Sequence, residues 1–237
     1  METILNQKRV MITGGTSGLG RALALTLADQ GARVAIVARH RVALDETVTA
    51  AHPAELIAIQ ADVSAKEEVY RISSEAIARL GGVDLLINNA SYLGVTPLRT
   101  LLDTECEEFQ QVLETNLLGP FRLTKAILPT MLLQGGGLVI NISSDAAESA
   151  YPGWGAYGSS KAALAHLSRI WDEELKTHRV RFFAIDPGEI DTPMHAAALP
   201  EADPATLRSP KAAALLLLEP ISNAFQEMLT GETDDRR

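Results

Sequence analysis

The 237-residue chain has a single cysteine, Cys106. One thiol excludes an internal disulfide and any zinc cluster built on cysteines, and fits a reducing compartment. The five histidines stand at no metal-ligand spacing. A basic excess is missing too: 21 Lys and Arg against 30 Asp and Glu leave a net charge of -9 and a pI near 5.1. Gripping a phosphate backbone needs clustered cations, so no nucleic-acid partner is expected. The longest apolar run, residues 212–218, falls far short of the roughly 18 residues that suggest a membrane span. No apolar signal-peptide core precedes Lys8 and Arg9. With neither repeats nor a low-complexity linker, and with 46% hydrophobic content, residues 1–237 are expected to form one cytoplasmic globular domain away from membranes. Its motifs fall in residues 8–194, with 195–237 as a short C-terminal extension.

The first element with chemical content is a strand over residues 10–12 that runs into Thr13-Gly14-Gly15-Thr16-Ser17-Gly18-Leu19-Gly20. Leu19, Leu23 and Leu27 then recur at helical spacing until Gly31. Glycines let the backbone approach a ligand, and free amides at a helix start attract anions, so a pyrophosphate suits this strand, turn and helix. An ordinary tight turn with packing glycines has the same pattern. Residues 33–38 form a second strand, as a βαβ unit requires. Its end, Ala38-Arg39-His40-Arg41, has no acid for the ribose hydroxyls of NAD. Arg39 can instead make charge-assisted bonds to a 2′-phosphate, which predicts NADP(H) over NAD(H). The alternative for Arg39 is a solvated loop cation.

A third strand spans residues 55–61 and closes on Asp62, which suits either an adenine amino group or a helix-entry turn. Ser64 with Glu67 predicts a capping box, and Val69, Ile72, Ala76 and Leu80 a buried helical stripe. A fourth strand, 83–87, leads into Asn88-Asn89-Ala90-Ser91. Thr104 with Glu107 predicts a second capping box, opening a helix through Phe109, Val112, Leu113 and Asn116. Gly119-Pro120 interrupts that helix, because proline removes a backbone bond; the carbonyl so freed near Asn116 can hold a water. Asn116 is otherwise an ordinary mid-helix polar residue. Strand 138–142 ends at Ser143-Ser144, and strand 180–185 ends at Asp186-Pro187-Gly188-Glu189-Ile190-Asp191-Thr192. Ligands of open α/β sheets bind at such carboxyl ends. Residues 194–208, rich in Ala and Pro, read as a lid.

Tyr157 and Lys161 stand one helical turn apart, with Ala163, Leu167, Ile170 and Trp171 expected to face the sheet or a partner subunit. An ammonium about 4 Å from a phenol, at an effective dielectric near 20, favours the phenolate by about 4 kcal/mol, or roughly three pKa units. That brings the phenol towards neutrality, where proton exchange with an alcohol or carbonyl is efficient. The same spacing also describes a plain surface pair.

Taken together, the glycine turn 13–20, Asn88-Asn89-Ala90, Asn116, Ser144, Tyr157 with Lys161, and Pro187-Gly188 resemble the short-chain dehydrogenase/reductase family in order and spacing. The resemblance implies an α/β fold, a single Rossmann-like doubly wound parallel sheet with helices on both faces. It implies hydride transfer between a nicotinamide and a small alcohol or ketone. By the same resemblance, Tyr157 is the acid or base, Lys161 lowers its pKa and holds the nicotinamide ribose, Ser144 bonds the substrate oxygen, and Asn116 fixes a water. Gly14, Thr16, Ser17, Gly18, Leu19 and Gly20 match the pyrophosphate turn, Asp62 with Val63 the adenine side, and Asn89 and Ala90 the strand end beside the cofactor. Pro187, Gly188, Ile190 and Thr192 match the segment holding the carboxamide. Ser91 and Asp186 stand where the family usually has Gly and Asn; both are expected to alter loop bonding only. Thr230-Gly231 is followed only by residues 232–237, so the family's last strand is expected to be absent or highly polar. The partner is expected to be a second copy, in a homodimer or homotetramer. A non-catalytic dinucleotide-binding protein on the same fold is the second reading. A glycine-rich methyltransferase explains neither Tyr157 nor Lys161.

Overall fold

The computed structural model describes residues 3–230. Six strands form one parallel sheet: β1 (Arg9–Thr13), β2 (Arg33–Ala38), β3 (Leu56–Gln60), β4 (Leu85–Asn88), β5 (Gly137–Ile142) and β6 (Val180–Ile185). Their order is β3-β2-β1-β4-β5-β6. The strands are nearly continuous apolar runs because helices cover both faces of the sheet and leave no solvated side. On one face lie α1 (Gly18–Asp29), α2 (Arg41–Ala50) and α8 (Pro210–Thr230), with Leu23, Leu27, Leu44 and Leu217 packed on Val10, Ile12, Ile36 and Ile87. On the other lie α3 (Val69–Leu80), α5 (Gly119–Leu133) and α6 (Gly155–Leu175), with Ile72, Leu80, Ile127 and Met131 against Met11, Val37, Leu86 and Val139. Two short helices complete the description, α4 (Cys106–Leu113) and α7 (Pro193–Ala198).

The chain leaves β1 towards β2 on one side and returns to β4 on the other. A crevice therefore opens at the carboxyl ends of β1 and β4. Register brings the chemical residues to that edge: Ile12 pairs with both Ile36 and Ile87, and Asn88 pairs with Asn141. The residues after Thr13, Ala38, Asn88, Ile142 and Ile185 thus emerge together.

Two sequence expectations are corrected. Neither capping box forms. The Ser64 hydroxyl donates to Asp62 Oδ1 (2.7 Å), and Glu68, not Glu67, reaches back to the Asp62 amide (3.1 Å), so a short 3₁₀ turn, Lys66–Glu68, precedes α3. The Thr104 hydroxyl donates to the Thr100 carbonyl, and α4 starts after Glu105 with no side-chain cap. On α6 the buried row is Tyr157, Ser160, Lys161, Leu164 and Ser168, while Ile170 is 43% exposed. That polar row is tolerated because each group is bonded: Asn88 donates to Asn141 Oδ1 and Asn141 to Ser168 Oγ, both at 2.8 Å, which ties β4, β5 and α6 together. Finally, the C-terminal extension contains a helix of 21 residues, α8, whose Leu217, Ile221 and Phe225 are each buried for about 2 kcal/mol. The expectation for residues 232–237 lies outside the described residues.

The predicted helix distortion is present as one wide π turn, Glu114–Leu118, in which the Gly119 amide bonds the Glu114 carbonyl. Pro120 has no N–H to offer the Asn116 carbonyl one turn back.

Candidate active site

At the crevice, Gly14 and Gly18 take φ of +68° and +48°, in the left-handed region that suits glycine. A Cβ on Gly20 collides with the Gly14 carbonyl and the Asn89 amide, so only glycine lets α1 begin this close to the turn. Ser17 precedes α1 without capping it, and the first turn holds no acid. The free amides there suit an anion. Asn89 holds the turn from behind: its Nδ2 donates to the carbonyls of Thr13 (2.9 Å) and Gly14 (3.2 Å). Thr13 Oγ1 accepts the amides of Asn89 and Ala90 at 3.0 Å each, so the ends of β1 and β4 are locked together.

The crevice is a cleft of about 830 Å³. Every predicted cofactor residue lines it: Gly14, Thr16 to Gly20, Arg39, Asp62, Val63, Asn89, Ala90, Tyr157, Lys161, Pro187, Gly188, Ile190 and Thr192. Asp62 Oδ1 is engaged by the Ser64 amide and hydroxyl, and Arg39 is exposed at the end of β2. Ser144, Tyr157 and Lys161 share the far end. Asn116 is fully buried and does not line the cleft. Its Oδ1 accepts the Tyr92 amide (2.7 Å) and Ser91 hydroxyl (3.2 Å), while Nδ2 donates to the Tyr92 carbonyl (2.9 Å) and Ser160 Oγ (3.0 Å).

The Lys161 ammonium donates to the Ile142 carbonyl (2.7 Å) and lies 5.5 Å from the centre of the Tyr157 ring. Burial lowers it to about 8. Burial likewise pushes the Tyr157 phenol up to about 12; the hydroxyls of Ser91 and Ser144 oppose that shift, and Asp186 and Asp145 reinforce it. The phenol is therefore not brought towards neutrality as the spacing predicts. Loss of solvent outweighs the ammonium, which faces a carbonyl as well as the ring. Ser144 Oγ donates to Asp145 Oδ1 (2.9 Å), whose other oxygen accepts from Tyr151 (2.9 Å). Trp154 meets the Tyr157 ring edge-on at 5.7 Å and walls this end.

Comparison with known proteins decides the family. The family model for short chain dehydrogenases matches residues 8–203. The chain belongs to the short-chain dehydrogenase family. The 2-(R)-hydroxypropyl-CoM dehydrogenase of Xanthobacter autotrophicus is 34% identical over 187 residues, covering 78% of this chain and 75% of that protein. A 3-oxoacyl-[acyl-carrier-protein] reductase of Thermotoga maritima is 32% identical over 192 residues, covering 80% and 77%. Among solved structures, a short chain dehydrogenase of Shigella flexneri complexed with NADP superimposes with a TM-score of 0.85 at 25% identity, covering 100% and 96%. This short-chain dehydrogenase is an oxidoreductase.

Three residues beside the reacting end of this short-chain dehydrogenase escaped the sequence reading of its proton chemistry. Ser91 was assigned to loop bonding only, yet its hydroxyl donates to Asn116 and opposes the rise of the Tyr157 phenol. Asp145 holds the Ser144 hydroxyl, and Ser160 joins Asn116 to the Tyr157 carbonyl. Polar residues beside a motif were the available signal. The 194–208 segment is pinned at its base, since Ile190 bridges Arg208 and the Asp191 amide bonds the Arg208 carbonyl (2.9 Å). Among the described residues no cluster suits a metal, and no helix is long and apolar enough to cross a membrane.

Proposed function

We propose that the chain is a single-domain, NADP(H)-dependent oxidoreductase for an alcohol or ketone of small to medium size, with Tyr157 as its acid and base. The observation that carries this reading is the shared cleft: the Tyr157 phenol, Ser144 and Lys161 line the same cavity as the glycine turn. The turn fits a dinucleotide, because Gly20 leaves no room for a Cβ and the α1 amides are uncapped. Gly14 to Gly20 are assigned to the pyrophosphate end, Asp62 and Val63 to the adenine, and Asn89, Ala90 and the 187–192 segment to the nicotinamide end. Arg39, with no acid beside it, is assigned to the 2′-phosphate. NADP bound to the Shigella flexneri relative supports this cofactor. When bound, the nicotinamide supplies or accepts the hydride.

The residues of the chain manage the proton. In reduction, the Tyr157 hydroxyl donates to the oxygen of the carbonyl; in oxidation, the phenolate takes the alcohol proton. Ser144 orients the substrate oxygen, and Lys161 supplies positive charge beneath the ring. Asn116 acts through its bonds to Ser91, Tyr92 and Ser160, and its main-chain carbonyl is the water holder. Leu93, Trp154 and Ala198 exclude water from one wall. The names of two relatives, a 3-oxoacyl reductase and a 2-hydroxypropyl dehydrogenase, support an alcohol or ketone at the reacting carbon. NADPH oxidation against a panel of ketones tests the reading; cofactor binding without any turnover sinks it in favour of a non-catalytic binder. A homodimer or homotetramer is proposed through the half-exposed side of α6, where Ile170 is 43% exposed. A monomer mass by light scattering at micromolar concentration refutes that assembly.

A further inference from the structure

We infer that the substrate joins its reacting carbon to an apolar body and carries no negative charge beside that carbon, and that Asp145 enforces the second condition. The inference names the substrate class of the proposed oxidoreductase and rests on that reading. Its first ground is the wall of the cleft. Leu93, Trp154, Tyr157 and Ala198 line the reacting end and belong to one apolar cluster. Tyr151, Met194 and Leu199 line the same cleft and are left 45%, 36% and 40% exposed. Single exposed apolar side chains are ordinary, but these come from two segments, the loop before α6 and the stretch of α7, and share one cavity. The stretch of α7 is held at both ends. Its N-cap Thr192 accepts the His195 amide (3.1 Å) and stands where a Cβ on Gly18 would meet it at 3.0 Å, while Ala198 packs at Tyr157. An apolar substrate body covers these groups while its carbonyl reaches the phenol.

The second ground is charge. Asp145 Oδ1 accepts the Ser144 hydroxyl (2.9 Å) and the Ala146 amide (2.8 Å), and Oδ2 accepts the Tyr151 hydroxyl (2.9 Å). The carboxylate is thus fixed one hydrogen bond away from the group that orients the substrate oxygen. Asp186 and Glu189 line the cleft as well and have the same sign. Among the described residues lining the cleft, the only Lys and Arg are Arg39, at the end of β2, and Lys161, whose ammonium is bonded to the Ile142 carbonyl. A carboxylate beside the reacting carbon therefore meets Asp145 and finds no arginine fork to receive it. Repulsion across about 6 Å, at an effective dielectric of about 30 to 40, corresponds to a loss of roughly 10- to 20-fold. Ketones and secondary alcohols with aryl or alkyl bodies are accepted, and 2-oxo and 2-hydroxy acids are rejected.

The test compares kcat/KM with NADPH for two pairs of probes: phenylglyoxamide with phenylglyoxylate, which differ in charge, and acetophenone with acetone, which differ in apolar body. Intrinsic reactivity cancels when each ratio is compared between proteins. Asp145→Asn keeps an oxygen for Ser144 and removes the charge, so the preference for the amide over the acid is expected to fall roughly 10- to 20-fold. Met194→Ala combined with Leu199→Ala is expected to lower the preference for acetophenone over acetone by roughly 10-fold. Either ratio unchanged overturns the inference. Should Asp145→Asn fail to fold, added salt on the parent decides: the preference for the amide is expected to shrink as ionic strength rises, and a constant preference overturns the role of Asp145. If the parent turns over no ketone, the proposed function fails, and calorimetric binding of the same probes in the presence of NADP⁺ still reads both ratios.

Discussion

Replacing Lys161 by methionine keeps the length of the side chain and removes a buried charge, so stability and activity should move in opposite directions near neutral pH. Burial lowers this ammonium from 10.5 to about 8. The unfolded chain thus keeps the proton up to 10.5, whereas the folded chain releases it near 8. Below 8 the folded state bears the whole penalty, about 3 kcal/mol. Between 8 and 10.5 the unfolded chain binds more protons, and the penalty is relieved as pH rises. Against this gain, the variant loses the 2.7 Å bond to the Ile142 carbonyl and leaves that oxygen unpaired. An unpaired buried acceptor costs about 1–3 kcal/mol. At about pH 7 the variant should therefore match the parent or exceed it by up to about 2 kcal/mol, and by about pH 10 the parent should be the more stable. Urea unfolding of both proteins at the two pH values reads the change of sign. Turnover should be lost in the variant at either pH. A parent more stable by the same margin at both values refutes the buried-charge reasoning.

Two further substitutions bear on the same cleft. The Tyr157 phenol, pushed up to about 12 chiefly by burial, stays protonated in the folded chain while the unfolded chain loses its proton near 10, so folding stability falls as pH rises between those values. Tyr157→Phe removes that fall and lowers turnover by roughly 10²–10⁴-fold; parallel curves of unfolding midpoint against pH refute the first claim, and unchanged turnover refutes the second. Arg39→Ala should reduce the preference for NADPH over NADH, as the ratio of their kcat/KM values, by roughly 10- to 100-fold, the worth of charge-assisted bonds to one phosphate. An unchanged ratio removes Arg39 from the 2′-phosphate.

The strands were legible because buried parallel strands are apolar runs bounded by charge or glycine. Residues 33–38 and 180–185 are strands over those bounds, and the other four differ by only a residue or two. The glycine turn was legible because Gly14, Gly18 and Gly20 answer to backbone geometry that no other residue type meets as well. Helix starts were not, since a Ser or Thr with Glu three residues on does not say which group wins the competition. At Ser64 the winner is Asp62, and at Thr104 it is the Thr100 carbonyl. The polar buried row of α6 was not legible for a related reason. Its buried row carries Ser160, Lys161 and Ser168, and apolar periodicity has no sight of polar groups whose partners lie elsewhere in the sequence.

Which residues line the cleft was legible, Asn116 apart, while the energetics of the Tyr157 and Lys161 pair were misjudged. Spacing located Tyr157 and Lys161 on one face, but the shift assigned to the pair assumed a charged lysine at an effective dielectric near 20. Burial acts on both groups and in the same sense, favouring the neutral form of each: the phenol rises to about 12 and the ammonium falls to about 8. In the base role proposed for it, a phenol that far above neutrality is useful only if its anion is stabilised at the moment it forms. Lys161 supplies charge from below the ring, 5.5 Å from its centre, and cannot by itself meet the lone pairs of the oxygen. The hydroxyls of Ser91 and Ser144 oppose the rise of the phenol, and Asp145 holds the proton of Ser144.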